Sequence, residues 1–157
     1  MHSTYNTDGL ARALLDLAGM LNSPRQDDIL LQEAGVSIDR ALFPLLVRIG
    51  AAGSLSVVEL AEQAGRDHST VSRQTAKLAK LGLVTRRQAV RDQRVREAVI
   101  TADGRRAVKA ITMARRRLFG KLLADWSVED RETLARLNRR LAGAMMKARS
   151  SWDRPQL

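Results

Sequence analysis

Residues 54–101 decide the fold of this chain, and they read SLSVVELAEQAGRDHSTVSRQTAKLAKLGLVTRRQAVRDQRVREAVIT. Near the start of this stretch, Ser56 precedes Glu59 by three residues. At that spacing the hydroxyl and the carboxylate each accept a hydrogen bond from the other residue's backbone N–H, an arrangement that caps a helix start. The pattern predicts a helix from Val57 to about Ala64.

A tight turn and a second helix are predicted to follow. Gly65 permits the left-handed backbone conformation that closes a helix, and either Asp67 or His68 is a suitable residue to open the next one. The second helix is expected to run from about Ser69 to Leu81 and to end at Gly82.

The second helix has two different faces. Because each residue advances by about 100°, an apolar side is predicted from Val71, Thr75 and Leu78. The opposite side is polar and cationic, and it carries Ser69, Ser72, Arg73, Ala76, Lys77 and Lys80. Such side chains suit a DNA major groove, where base edges and phosphates offer acceptors. An ordinary solvated basic face is the alternative for an isolated helix, but the neighbouring elements favour DNA.

A small hairpin is predicted after this helix. Residues 83–87 and 95–100 are enriched in β-branched side chains, which favour strands. The loop between them carries Arg91 and Arg94 on either side of Asp92, whose carboxylate is expected to hold one guanidinium in a fixed direction. The negative potential of a minor groove attracts such an arginine. Together these elements predict a winged helix-turn-helix.

Several short motifs of this stretch occur in a characteristic order. They are STVSR at residues 69–73, L-x-x-L-G-L-V at residues 78–84, Asp92-x-Arg94, and Ile-Thr-x-x-Gly at residues 100–104. In this order they resemble the MarR-type transcriptional regulators, over roughly residues 35–148. The resemblance implies a homodimeric DNA-binding regulator, often a repressor that a small ligand releases from DNA.

The positive charge of the chain is concentrated in one region. The formal net charge is +10, and residues 66–117 hold 15 Lys and Arg against 4 Asp and Glu. The rest of the chain holds 12 against 13, a balance of −1. A surface that binds phosphates is expected to show this distribution.

Composition excludes several classes of protein. A length of 157 residues fits one domain. With no cysteine and only two histidines, the chain is predicted to hold no disulfide, metal or cofactor. No catalytic arrangement of nucleophile, histidine and carboxylate is visible, so an enzyme is not expected.

There is no apolar run long enough to span a membrane and no secretory pattern at the N-terminus, which predicts a cytoplasmic protein.

The region before the winged stretch is predicted to be helical. Apolar spacing indicates a helix over residues 8–21, which Pro24 ends, and a short helix over about residues 26–34. Ser37 is expected to cap a third helix that runs to about Ala51. Pro44 would then lie inside that helix and kink it. The kink either shapes a ligand pocket or is a tolerated bend against the core.

Helices are also predicted after the winged stretch, one beyond Thr101 and one capped by Ser127 with Asp130. Their apolar stripes, and that of the first helix, are larger than a small winged domain covers, so they are expected to pair with a second copy. Packing of three helices within one chain is the alternative. The predicted fold is therefore mainly α with a small β-wing. It comprises a DNA-binding lobe at residues 37–101 and dimerisation helices at residues 8–35 and 102–149.

The predicted function is sequence-specific regulation of transcription by a homodimer on double-stranded DNA. The residues assigned to DNA are Ser69, Thr70, Ser72, Arg73, Gln74, Lys77, Arg91, Asp92 and Arg94. Of these, Arg73 and Gln74 are expected to contact bases, and the hydroxyls and Lys77 to contact phosphates. A sequence-neutral architectural DNA-binding protein is the alternative. By resemblance, a small-molecule effector is expected between the dimerisation helices and the winged lobe, but no residue is assigned to it.

Overall fold

The computed structural model describes residues 7–152, with side chains described for residues 7–148. The prediction that the N-terminus has no secretory pattern concerns residues that lie mostly outside this range. The elements are α1 (Thr7–Leu21), α2 (Pro24–Ala34), α3 (Phe43–Ala52), β1 (Ser54–Ser56), α4 (Val57–Ala64), α5 (His68–Lys80), β2 (Val84–Gln88), β3 (Arg96–Ile100), α6 (Ala102–Leu122) and α7 (Val128–Trp152). The predicted class, mainly α with a small β-wing, is confirmed.

The sheet contains one strand more than the sequence predicted. The order is β1-β3-β2, and both pairings are antiparallel. The hairpin of β2 and β3 pairs Val84 with Ile100 at its base. The additional strand, β1, pairs Leu55 with Ala98, so the segment before α4 is attached to the wing.

The start of α4 is held by the predicted capping box. The hydroxyl of Ser56 accepts from the Glu59 N–H at 3.1 Å, and Glu59 Oε2 accepts from the Ser56 N–H at 2.8 Å. The Ser56 N–H, followed by its hydroxyl, holds the pKa of Glu59 below its usual range. Gly65 closes the helix with φ +64°, in the left-handed region, as predicted.

The start of α3 differs from the prediction. The helix begins at Phe43 rather than near Ser37, and Pro44 lies in its first turn. A proline there costs no hydrogen bond, because the first N–H groups of a helix have no partner within the helix. The predicted cap at Ser37 is therefore wrong. The predicted kink at Pro44 is also wrong, since no helical turn precedes the proline.

One apolar core holds the winged lobe together. It is formed by buried side chains of α3, α4, α5 and the sheet: Leu42, Leu45, Leu46, Ile49, Leu55, Val57, Leu60, Ala61, Val71, Leu78, Val84, Ala98 and Ile100. Each of the three helices contributes its apolar face, so the orientation of α5 is set by the same cluster that supports the wing.

The first turn of α6 is attached to the base of the hairpin. Thr101 donates its N–H to the Leu83 carbonyl at 3.1 Å and its hydroxyl to the Gly82 carbonyl at 2.7 Å. The same hydroxyl accepts from the Gly104 N–H at 3.0 Å, which caps the helix. Two hydrogen bonds from Thr101 thus join the start of α6 to the base of the hairpin, and a third caps the helix.

The terminal helices have little buried surface within the chain. Helix α1 contains no buried residue, and the same holds for α7 between Val128 and Ala148. The chain divides after Arg117 into two compact units. None of the helices within residues 7–152 combines the length and the apolar character that a membrane crossing requires.

Candidate nucleic-acid interface

Asp67 organises the N-terminus of α5. Its Oδ1 accepts from the Thr70 N–H at 2.9 Å and from the Ser69 hydroxyl at 2.6 Å, and its Oδ2 accepts from the Thr70 hydroxyl at 2.5 Å. The bond from Ser69, and then the bonds from Thr70, hold the pKa of Asp67 far below its usual range. The carboxylate is therefore ionised at neutral pH, where it also complements the positive end of the helix dipole.

The predicted packing face of α5 is confirmed. Val71, Thr75 and Leu78 are buried, and the Thr75 hydroxyl donates to the Val71 carbonyl at 2.7 Å. Around the rest of the helix, the exposed side chains are His68, Ser69, Arg73, Lys77 and Lys80, and the half-buried ones are Thr70, Ser72, Gln74, Ala76 and Ala79. All the α5 residues assigned to DNA thus lie outside the buried face.

Two of these residues have side chains that neighbours hold in place. The guanidinium of Arg73 donates to the Thr70 hydroxyl oxygen at 3.3 Å, one turn earlier on the helix. Because that oxygen also bonds to Asp67, the cap and Arg73 form one network. Gln74 accepts at its Oε1 from the guanidinium of Arg66 at 2.9 Å.

The hydroxyls of Ser69 and Thr70 have their hydrogens directed at Asp67. In this arrangement the two oxygens act as acceptors towards other groups, whereas a bond to a phosphate requires a donor. Donation of either hydroxyl to a phosphate therefore requires it to leave Asp67, and no pattern in the sequence indicates this.

The wing loop exposes its assigned residues. Arg91, Asp92 and Arg94 all lie at the surface between β2 and β3. Asp92 Oδ1 accepts from the backbone N–H of Arg94 at 3.0 Å, and the Asp92 carbonyl accepts from the Val95 N–H at 3.0 Å. Asp92 thus shapes the loop backbone. The expectation that it holds a guanidinium is not met, since it pairs with neither arginine in the described part of the chain.

The basic region that begins at Arg66 includes further cations beside these residues. Arg86, Arg87 and Arg96 are exposed on the two strands of the wing, and Arg87 pairs with Glu97 at 3.2 Å. On α6, Arg105 donates to the Ile100 carbonyl at 3.3 Å. Exposed cations therefore lie along α5, on both strands of the wing and on the wing loop.

An open groove lies beside the C-terminal half of α5. It has a volume of about 420 Å³ and is lined by Ser37, Ile38, Asp39, Leu42, Lys77, Lys80 and Leu81. Lys77 is therefore shared between this groove and the surface assigned to DNA. Among the described residues, no group of three histidine, aspartate or glutamate side chains is placed to hold a metal ion.

Arg66 also lies beside this surface, and sequence reasoning did not assign it. Its guanidinium contacts both Gln74 and the carbonyl of Ala41, at 2.9 and 2.7 Å. The only indication in the sequence is a cation placed directly after the helix-closing Gly65. Its partners lie 8 and 25 positions away, so their identity depends on the folded turn.

Comparisons of sequence give the proteins to which this chain is similar. The sequence model of the MarR family matches residues 38–95. The chain is 32% identical over 110 residues to YxaD of Bacillus subtilis (strain 168), an uncharacterized HTH-type transcriptional regulator, and the match covers 70% of this chain and 77% of YxaD.

Solved structures share the fold. A MarR family protein from Bacillus stearothermophilus superimposes with a TM-score of 0.76 at 24% identity, over 89% of this chain and 95% of that protein. A crystal structure of MarR superimposes with a TM-score of 0.73 at 22% identity, over 97% and 99% of the two chains. At these identities the superpositions establish the fold.

Proposed function

This chain belongs to the MarR family of transcriptional regulators, and from that premise we propose that it is a homodimeric repressor that binds a pseudo-palindromic operator in the cytoplasm. The observation that carries the proposal is the cationic, exposed side of α5, with Arg73 and Lys77 at its centre, next to an arginine-bearing wing. A regulator of this family binds DNA, and this surface has the charge and the shape for it.

Helix α5 is proposed to lie in the major groove. Its exposed side holds Ser69, Arg73 and Lys77, and Asp67 fixes the N-terminal turn that leads into the groove. Arg73 is assigned to a base edge, because a guanidinium can bond to two acceptors of guanine at once. Lys77 is assigned to a phosphate, as a point charge.

The wing loop is proposed to reach the adjacent minor groove. Arg91 and Arg94 are exposed on a loop whose backbone Asp92 holds in shape. An arginine at such a position is attracted by the negative potential of a narrow minor groove, and the contact depends on groove width more than on base identity.

Dimerisation is proposed to involve the two terminal helices. Several large apolar side chains on α1 and α7 are exposed within the chain: Leu10, Leu17, Met20, Leu21, Leu134, Leu137, Met145 and Met146. The stripe on α7 lies on a mainly polar helix, whereas α1 is apolar over most of its length. Exposed apolar surface of this extent indicates a partner. A second copy supplies the same stripes, so a twofold interface covers both.

An effector is proposed to shift the protein between DNA-binding and DNA-free states, as the family resemblance implies. Its identity and its position are not assigned to residues. For the affinity for DNA to change, the effector must bind the two states with different affinities.

Selection of bound sequences from a random duplex pool tests the proposal. The expected result is a pseudo-palindrome with half-sites about one helical turn apart, roughly 10 bp. Light scattering on the free protein is expected to give the mass of a dimer. A monomer that enriches no shared sequence contradicts the proposal, and a dimer that enriches none supports a sequence-neutral architectural protein instead.

A further inference from the structure

Arg66 lies in the turn between α4 and α5, and hydrogen bonds hold both its backbone N–H and its guanidinium. Its backbone N–H donates to the Ala61 carbonyl at 3.1 Å, as part of the helix closure at Gly65. Its side-chain NH1 donates to the Ala41 carbonyl at 2.7 Å and to Gln74 Oε1 at 2.9 Å. The side chain is half-buried, so it has little freedom to exchange these partners.

The carbonyl that anchors Arg66 belongs to an ordered turn. Asp39 Oδ1 accepts from the Ala41 N–H at 2.8 Å, and the Asp39 carbonyl accepts from the Leu42 N–H at 2.9 Å. Leu42, next to the anchoring carbonyl, is buried in the core. The position of the guanidinium is therefore set by the core of the lobe rather than by Gln74.

The contact with Arg66 determines which end of the Gln74 amide faces outward. A guanidinium has donors and no acceptor, so only the carbonyl end of the amide can bond to it. Gln74 must therefore direct Oε1 towards Arg66, so the oxygen is turned inward and the two N–H groups of Nε2 are the groups left to face another molecule.

Gln74 is close to the proposed DNA-contacting residues on α5. Residues three and four apart on a helix are neighbours on its surface, so Gln74 lies between Thr70 and Lys77. It is half-buried, whereas Arg73 and Lys77 are exposed. The amide is therefore at the edge of the surface proposed to enter the major groove.

We propose that Arg66 is a positioning residue for sequence recognition, because it restricts Gln74 to donating hydrogen bonds to bases. The inference rests on the proposed function. Bidentate recognition of adenine by glutamine requires its acceptor as well as its donors, since adenine presents N7 and the N6 amino group in the major groove. With Oε1 turned towards Arg66, Gln74 favours base edges that offer only acceptors, O6 and N7 of guanine or O4 of thymine, over adenine, whose N6 amino group requires an acceptor.

The test compares base preferences, selected from a random duplex pool, for the full-length protein and its variants. Arg66→Met removes the donors and keeps an unbranched apolar side chain. The expected result is that one base pair in each half-site, guanine or thymine in the wild type, admits adenine, with discrimination reduced about tenfold. The other positions are expected to keep their preferences.

Two further variants identify the base pair concerned. Gln74→Leu is expected to abolish the preference at the same base pair, and the double variant of Arg66→Met and Gln74→Leu is expected to match Gln74→Leu there. Arg48→Met is the matched control, because Arg48 is also half-buried and also donates to a backbone carbonyl, that of Pro44 at 3.1 Å. It is expected to leave every base preference unchanged.

If Arg66→Met does not fold, the variant Gln74→Glu, which keeps the bond to Arg66, still tests the inference. Gln74→Glu retains an acceptor for Arg66 and has no donor, so it is expected to lose the guanine or thymine preference. Retention of the wild-type profile by either folded Arg66→Met or Gln74→Glu overturns the inference and leaves the proposed function intact. A wild type that selects no sequence overturns both.

Discussion

Replacement of Gly104 by alanine is expected to destabilise the protein by about 2 kcal/mol. Gly104 is buried in the first turn of α6, against the backbone that enters the wing. A Cβ at this position would overlap the carbonyl oxygen of Leu83 and lie 2.6 Å from Cδ1 of Ile100. The Ile100 methyl can turn aside, but the carbonyl is part of the backbone and accepts the Thr101 N–H at 3.1 Å.

Three contributions set the magnitude of the Gly104→Ala effect. Forcing a methyl into a packed site costs about 1–3 kcal/mol. Displacing the Leu83 carbonyl weakens one hydrogen bond, worth about 1 kcal/mol. Alanine in a helix recovers roughly 0.5–1 kcal/mol relative to glycine. The first two outweigh the third, so the net change is a loss of stability.

Urea denaturation at one fixed protein concentration measures this loss. With a slope of about 2 kcal/mol per molar urea, the midpoint is expected to fall by roughly 1 M. Gly120→Ala is the matched control in the same helix, since a Cβ there meets no atom within 4 Å. It is expected to leave the midpoint unchanged or to raise it. A Gly104→Ala protein with the wild-type midpoint would refute the close packing inferred at this turn.

Three other perturbations test the helix caps and the DNA surface. Ser56→Ala is expected to lower the free energy of unfolding by about 1 kcal/mol, measured by urea denaturation, because the Glu59 N–H loses its acceptor; an unchanged midpoint contradicts this. Hydrogen bonds from Ser69 and Thr70 lower the pKa of Asp67 from its usual 3.8, so the stability it contributes is present above that pH and is lost as the pH falls below it. Asp67→Asn is therefore expected to flatten the acid side of a pH–stability curve, and an identical curve argues against this role. Arg73→Ala is expected to reduce operator affinity by about 1–3 kcal/mol and to relax one base position, whereas Lys77→Ala weakens all duplexes alike and reduces the salt slope by about one. Anisotropy titrations over a range of salt concentrations distinguish these outcomes, and equal effects on operator and random DNA refute the assignment of Arg73.

The features that the sequence predicted correctly depend on residues close together in the chain. The capping box joins Ser56 and Glu59, and Asp67 was one of the two residues considered as the opening of α5. The buried face of α5 follows from the spacing of its apolar residues, because the helix repeat is constant. In each case the partners are separated by at most a few turns, so local patterns were sufficient.

The missed strand has its partner far along the sequence. Leu55 in β1 pairs with Ala98 in β3, a separation of 43 positions, and β1 is only three residues long. A segment this short shows no alternation of its own. Its pairing is favoured by the folded positions of α4 and the wing, and no local pattern could have indicated it.

The error at α3 has a different cause. Ser37 has the side chain of a helix cap, but Asp39 caps a turn two residues later, and the helix begins only at Phe43. Pro44 inside a longer helix would interrupt it, but proline is favoured in the first turn of a helix. The same residue permits either interpretation, and the burial of Leu42 and Phe43 against the core decides between them.

Base preference within a half-site and the spacing between half-sites are expected to depend on different parts of the molecule. The side chains proposed to contact bases, Arg73 and Gln74, are held by bonds within the winged lobe, from Arg73 to the Thr70 hydroxyl and from Arg66 to Gln74. Base preference within one half-site is therefore a property of each copy. In the proposed dimer, the spacing between half-sites instead depends on how two copies pair through α1 and α7, whose apolar stripes are exposed within the chain. Substitutions in these stripes should consequently change the preferred spacing or the overall affinity, and leave the bases selected within each half-site unchanged.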